Sequence, residues 1–124
     1  MAKIHVDFHI KNEDIVQAFQ TQGLLNKNKI AFFDDAKDKH VLTLGKTSVH
    51  YHRSGENALD FTFNQTQSTK GTYAVSNQLM EFDIHTDSLL INDNTLYIAY
   101  TLKQFGSIVG NSELTLKYEK AQEA

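Results

Sequence analysis

The sequence predicts an all-β protein: a single antiparallel meander closing into a β-barrel of about 8–10 strands. Three observations carry this. Alternation of apolar and polar residues with period 2 dominates the chain, which is the mark of strands with one buried face. Turn residues recur at intervals of roughly 8–12 residues, as in hairpin-connected strands. No stretch has the length and spacing of a long helix, and 124 residues is the size of one domain.

The clean rows come in order. Ile4, Val6, Phe8 and Ile10 alternate with His5, Asp7 and His9. Leu59, Phe61 and Phe63 alternate with Asp60 and Thr62, and Met80, Phe82 and Ile84 with Glu81, Asp83 and His85. Leu96, Ile98, Tyr100 and Leu102 form the next row, and Leu114, Leu116 and Tyr118 the last. Less regular strands are expected over Ile15–Leu25, Ile30–Asp34, His40–Leu44, Val49–Arg53 and Gly71–Val75. The first of these could instead hold a helical turn, since Val16, Ala18 and Phe19 also suit a short helix. The domain is expected to span 1–118, with 119–124 as a loose tail.

Between these rows stand Asn26-Lys27-Asn28, Asp34-Asp35 through Asp38, Ser54-Gly55-Glu56-Asn57, Asn92-Asp93-Asn94 and Phe105-Gly106. Asn, Asp and Gly tolerate the left-handed backbone of tight hairpins. With nine asparagines they do the work of the proline this chain lacks. So many strands in one domain must close or fold over, because open edges invite aggregation.

Composition narrows the function classes. Without cysteine there is no disulfide, thiol nucleophile or thiolate metal site. Twelve basic against fifteen acidic side chains, a net charge of −3, give no attraction for nucleic acid or an anionic membrane. The N-terminal residues alternate too strictly for a secretory signal, and no apolar run reaches the roughly 18 residues of a spanning helix. A cytoplasmic setting is the expectation. Phosphate loops, nucleophile elbows and H-E-x-x-H motifs are absent from the sequence, so no enzyme and no cofactor are expected.

Arg53 stands out. It falls in phase with Val49 and Tyr51, so an inward-facing row would carry a guanidinium into the barrel. A buried cation needs a carboxylate, an aromatic face or a bound anion. The turn at Ser54-Gly55 follows at once, however, which favours a rim position with the charged head in water. Tyr51 and Tyr73 would add polar anchors beside it, making Arg53, Tyr51 and Tyr73 the candidate ligand-binding residues for a small acid with an apolar body.

The histidines offer less. His50 and His52 share a strand face and could hold one metal ion only with a third ligand, such as Asp60 or Asp83. Solvent-facing strand residues are the simpler reading, and no metal site is assigned. His5 and His9 would stand roughly 13 Å apart along a strand, too far to share an ion. Asp34, Asp35 and Asp38 lack the glycine and terminal glutamate of a calcium loop and read as a solvated hairpin turn.

The run Val49-His50-Tyr51-His52-Arg53-Ser54-Gly55, followed by Leu59-Asp60-Phe61 and Gly71-Thr72-Tyr73, resembles the YwiB-like bacterial family of unknown function. So do Met80 to Thr86, Leu96 to Leu102 and Asn111 to Leu116. The first half matches more loosely, through Gln20-Thr21-Gln22-Gly23 and the hairpin to Phe33. The resemblance implies a calycin, lipocalin-like barrel in the cytoplasm, and it transfers no activity. Arg53, Gly55, Gly71 and Tyr73 are the matched positions. One departure concerns the mouth: after the tyrosine matching Tyr73 the family tends to carry a Thr-Pro-Tyr-Gly-like turn, where this chain has Ala74-Val75-Ser76-Asn77-Gln78. The competing reading is a solid-core barrel that acts through self-association, as a homodimer, or through a protein partner.

Overall fold

The computed structural model describes residues 2–13 and 16–121, and all but the Val75 side chain within them. Its elements are β1 (Ala2–Asn12), β2 (Val16–Asn26), β3 (Lys29–Phe33), β4 (Lys39–Leu44), β5 (Ser48–Ser54), β6 (Ala58–Asn64), β7 (Thr69–Val75), β8 (Gln78–Ile91), β9 (Thr95–Gln104) and β10 (Ser107–Lys120). Each strand pairs antiparallel with the next, and β1 also pairs with β10, closing a ten-stranded barrel. Closure removes the two edges that an open meander would expose.

The segment that offered a helical turn is strand: Val16–Asn26 pairs along β1, with Phe8 opposite Phe19. Pairing with β1 satisfies its backbone groups, and extended backbone puts Phe19 against the core while Val16 and Ala18 face out. Ile15 lies outside the described residues. At the other end β10 runs to Lys120, where Glu119 and Lys120 pair with His5 and Ile4. The paired strand therefore continues two residues past the expected boundary at 118, and residues 122–124 lie outside the description.

The alternating rows become the core. Phe8, Phe32, Tyr51, Phe63, Ile4, Ile30, Leu42, Ile84, Leu96, Ile98, Leu114 and Leu116 are fully buried. Two groups of rings meet inside: Phe8, Phe19 and Phe32 with His40 and Tyr51, and Phe61, Phe63 and Phe82 with Tyr100. Gly71, opposite Phe61, leaves room for that ring: a Cβ there would lie 2.5 Å from Phe61 Cδ1. The middle of the barrel is thus filled by side chains.

Strand direction assigns the loops to two ends. The turns after β1, β3, β5, β7 and β9 lie at one end, here the upper, and the turns after β2, β4, β6 and β8 at the lower. At the upper end Ser76 and Asn77, with φ of 51° and 66°, form a two-residue hairpin between Val75 and Gln78. The paired positive φ values suit a type I′ turn.

Candidate functional site

A buried polar cluster occupies the upper end. Register builds it: His40 on β4 stands opposite Arg53 on β5, Arg53 opposite Leu59, and Leu59 opposite Tyr73 on β7. One inward row therefore carries His40, Arg53 and Tyr73. Tyr51, two residues below Arg53 on the same strand, faces the same interior and is 1% exposed.

Arg53 is 8% exposed, so the rim position that its turn favoured is corrected. The turn curls over the guanidinium: Nε donates to the Asn57 carbonyl at 2.8 Å, and Cζ lies 5.6 Å from the centroid of the Tyr73 ring. Hydrogen bond and ring face replace the water that a snorkelling head would seek. The turn depends on Gly55, whose φ of 136° is open to glycine and which packs on Asp38. Asp38 accepts the Glu56 N–H at 3.1 Å and is itself 4% exposed.

The other half of the cluster is a chain of three side chains. His40, fully buried, lies with Nδ1 2.7 Å from the Tyr51 hydroxyl and Nε2 2.8 Å from Asp34 Oδ2. Asp34 uses its second oxygen to accept the N–H groups of Ala36 and Asp38, at 2.9 and 3.1 Å, which fixes the β3–β4 turn as an Asx turn. The acidic hairpin read as solvated is therefore only partly so. Asp35, Ala36 and Lys37 face water, while Asp34 and Asp38 turn inward to hold a histidine and a neighbouring turn.

Electrostatics follow from this packing. Burial pushes the Tyr51 hydroxyl well above the usual tyrosine range, with the nearby Arg53 charge opposing. Burial likewise raises Tyr100, which lies within electrostatic reach of Arg53. His40 is held below its ordinary value by burial, which outweighs the pull of Asp34. For Asp34 burial acts upward, but the His40 ring and the two backbone N–H groups together hold the carboxyl below its ordinary value. The resting state is a neutral histidine between a carboxylate and a protonated tyrosine. Among the described residues no carboxylate lies within 4 Å of the Arg53 guanidinium. One further interior oxygen, Thr86 Oγ1 opposite Tyr100, is buried without a hydrogen-bond partner among them.

The three expected site residues thus come together at one place. His40, Asp34 and Asp38 join them unforeseen; the signal for His40 was its phase with Leu42 and Leu44, the same argument that singled out Arg53. His50 and His52 do not join. They stand on the outer face with rings 6.3 Å apart, and His50 lies 2.6 Å from Asp60 Oδ1. Among the described residues no three His, Asp or Glu side chains gather as a metal site.

Comparison with known proteins adds identity at the level of family. Residues 3–116 match the model of a family described as a domain of unknown function, DUF1934. The chain belongs to this family. Among solved structures it resembles the ywiB protein from Bacillus subtilis, at 21% identity and a TM-score of 0.65, over 97% of this chain and 91% of that one. That likeness shows the shared barrel fold. No match was found among curated proteins. The described residues contain no helix long and apolar enough to cross a membrane.

Proposed function

We propose that this DUF1934 domain binds a small organic acid at the upper end of its barrel, with the acid group on Arg53 and a short apolar body at the mouth. The observation that carries the reading is the Arg53 guanidinium, nine-tenths buried with no carboxylate beside it among the described residues. A guanidinium presents a planar fork of donors suited to a carboxylate, and a buried charge gains most from a partner. Ile10, Phe19, Tyr73, Phe82 and Leu102 stand at the upper strand ends, partly buried against the core, where an apolar body would lie. The filled middle of the barrel confines that body to the upper end. The reading is binding without catalysis. A cytoplasmic setting belongs to the same reading.

Thermal unfolding with octanoate, benzoate and phenylacetate tests it. At about 100 times Kd a bound acid adds about 2.7 kcal/mol of stability, a rise of several degrees in Tm for a domain this size. Arg53→Met removes the rise. No rise with any acid, or an equal rise in the variant, overturns the reading.

A second reading, self-association, has one observation of its own. Leu79, Phe105, Ile108 and Val109 are exposed at upper hairpins, and residues 104–112 carry no charged side chain. Exposed apolar side chains on an uncharged segment suit a contact surface. Light scattering at millimolar concentration decides: a strict monomer removes it.

A further inference from the structure

Acid binding at Arg53, as read above, leaves the buried His40 without a role. His40 is faced by Asp34 and Asp38 from the β3–β4 turn and by Tyr51 and Arg53 from β5. From β1, β2 and β3 it meets the rings of Phe8, Phe19 and Phe32, the last stacked at 4.9 Å. Its other charged and titratable neighbours among the described residues are therefore those four.

The polarity of the hydrogen-bond chain is set from its acidic end. An ionised Asp34 can only accept, so Nε2 of His40 carries a proton. In a neutral ring Nδ1 is then an acceptor, and the Tyr51 hydroxyl donates to it. The Tyr51 hydrogen is thereby turned toward His40 and is lost to any anion on Arg53. A second proton, on Nδ1, reverses this. Both ring nitrogens then donate, Tyr51 must accept from His40, and its own hydrogen turns away from the ring.

We infer that His40 is a pH gate on the acid site: protonated, it frees the Tyr51 hydroxyl to donate to an anion held by Arg53 and sets a second positive charge beside it. The inference rests on the acid-binding reading above. Affinity for an anion rises as pH falls through the titration of His40, which burial places below 6.5. By linkage, the anion draws a proton onto the protein as it binds. The other five histidines, His5, His9, His50, His52 and His85, lie on outer faces of the barrel and change only the general field.

The probe is a naphthalene sulfonate, whose charge is constant across the range, followed by calorimetry from pH 7.5 to 5.0. Binding is expected to tighten about tenfold over this range, the scale of one added charge nearby. Calorimetry in buffers of different ionisation enthalpy should show proton uptake on binding below pH 6.5. His40→Gln should bind with an affinity nearly independent of pH, and Asp34→Asn, which removes the counter-charge, should shift the transition to lower pH. Affinity that is flat in the native protein, or binding without proton uptake, overturns the gate while the acid site stands. So does unchanged pH dependence in His40→Gln. Should that variant fail to fold, proton uptake by the native protein decides alone. No binding at any pH overturns the acid site itself and the gate with it.

Discussion

The two ends of the barrel are built by different means. The lower end is closed by backbone: Gly45 N–H donates to the Ser48 carbonyl, Gln65 to Thr47, Asn92 to Thr95, and Tyr118 to Asn94. Its side chains reinforce this, with Asn28 donating to the Leu44 carbonyl, the Tyr118 hydroxyl to that of Asp93, and the Thr69 hydroxyl to that of Thr62. The interior above these turns is apolar, from Ile30 and Val49 through Phe63 and Leu96. At the upper end the interior holds Asp38, His40, Tyr51 and Arg53, and two turns are tied down by carboxylates that reach into the barrel. Backbone closure with an apolar filling serves stability alone. A buried charge cluster is weak evidence for stability, so its presence at one end supports the site proposed there.

The largest effects should separate the ends. Phe63→Ala removes a fully buried ring and is expected to cost about 3–5 kcal/mol in urea unfolding. Arg53→Met removes a charge but keeps an apolar stem of similar reach, and replacing buried ions by apolar side chains is often neutral or stabilising. A change within about 1 kcal/mol is expected, with acid binding gone. An Arg53→Met cost equal to that of Phe63→Ala would make the upper cluster a structural device and erase the contrast.

Next comes the turn over Arg53. At Gly55 a Cβ would lie 1.8 Å from Asp38 Oδ1, on a backbone with φ of 136°. Gly55→Ala should cost about 2–3 kcal/mol and weaken acid binding as the turn lifts. At Gly110, on the β10 side of the same end, a Cβ meets nothing within 4 Å. Gly110→Ala should stay within about 0.5 kcal/mol, and paired thermal melts compare the two.

Much of this was legible in the residues, and the rest fails for physical reasons. Five strands follow from clean alternation, because one packed face imposes period 2. The other five alternate less regularly, and only its pairing with β1 settles β2 as strand. The phase of Arg53 with Val49 and Tyr51 pointed inward, and the following turn argued for the rim. What decided between them was the Asn57 carbonyl and the Tyr73 ring, which no local pattern announces. His40 carried the same phase signal among Leu42 and Leu44. Its partners come from a turn and another strand, and an aspartate in a turn looks the same whether it faces water or a buried ring. Register and closure assemble the cluster, and they are properties of strand pairs.

Acid should act on the upper end first. His40 is held below 6.5 in the fold by burial, so between that value and its folded one the unfolded chain binds more protons. Stability is then full above pH 6.5 and falls on acidification through this window. Asp34, held below 3.8, adds a second loss as pH drops beneath that value toward its folded one. Urea midpoints measured from pH 8 to 3 should show both, and His40→Gln should remove the first and reduce the second, since the His40 ring helps hold Asp34 low. A first loss that survives in His40→Gln would overturn its assignment to His40.

The smallest expected effect lies at the tip of the β9–β10 hairpin. Phe105 and Gly106 occupy a two-residue turn with φ of 51° and 80°, and the phenylalanine ring is 102% exposed. A type I′ turn favours asparagine at that position, where a bulky side chain pays for its left-handed backbone with no contact in return. Phe105→Asn should therefore stabilise the monomer by about 0.5–1 kcal/mol, read from thermal melts of dilute protein. The position then tests what the ring is for. If the native chain self-associates and the variant does not, the strain is offset in an interface and the upper end has two uses. If both are monomers and the variant is the more stable, the ring contributes nothing to contact and self-association is removed as a use of that end.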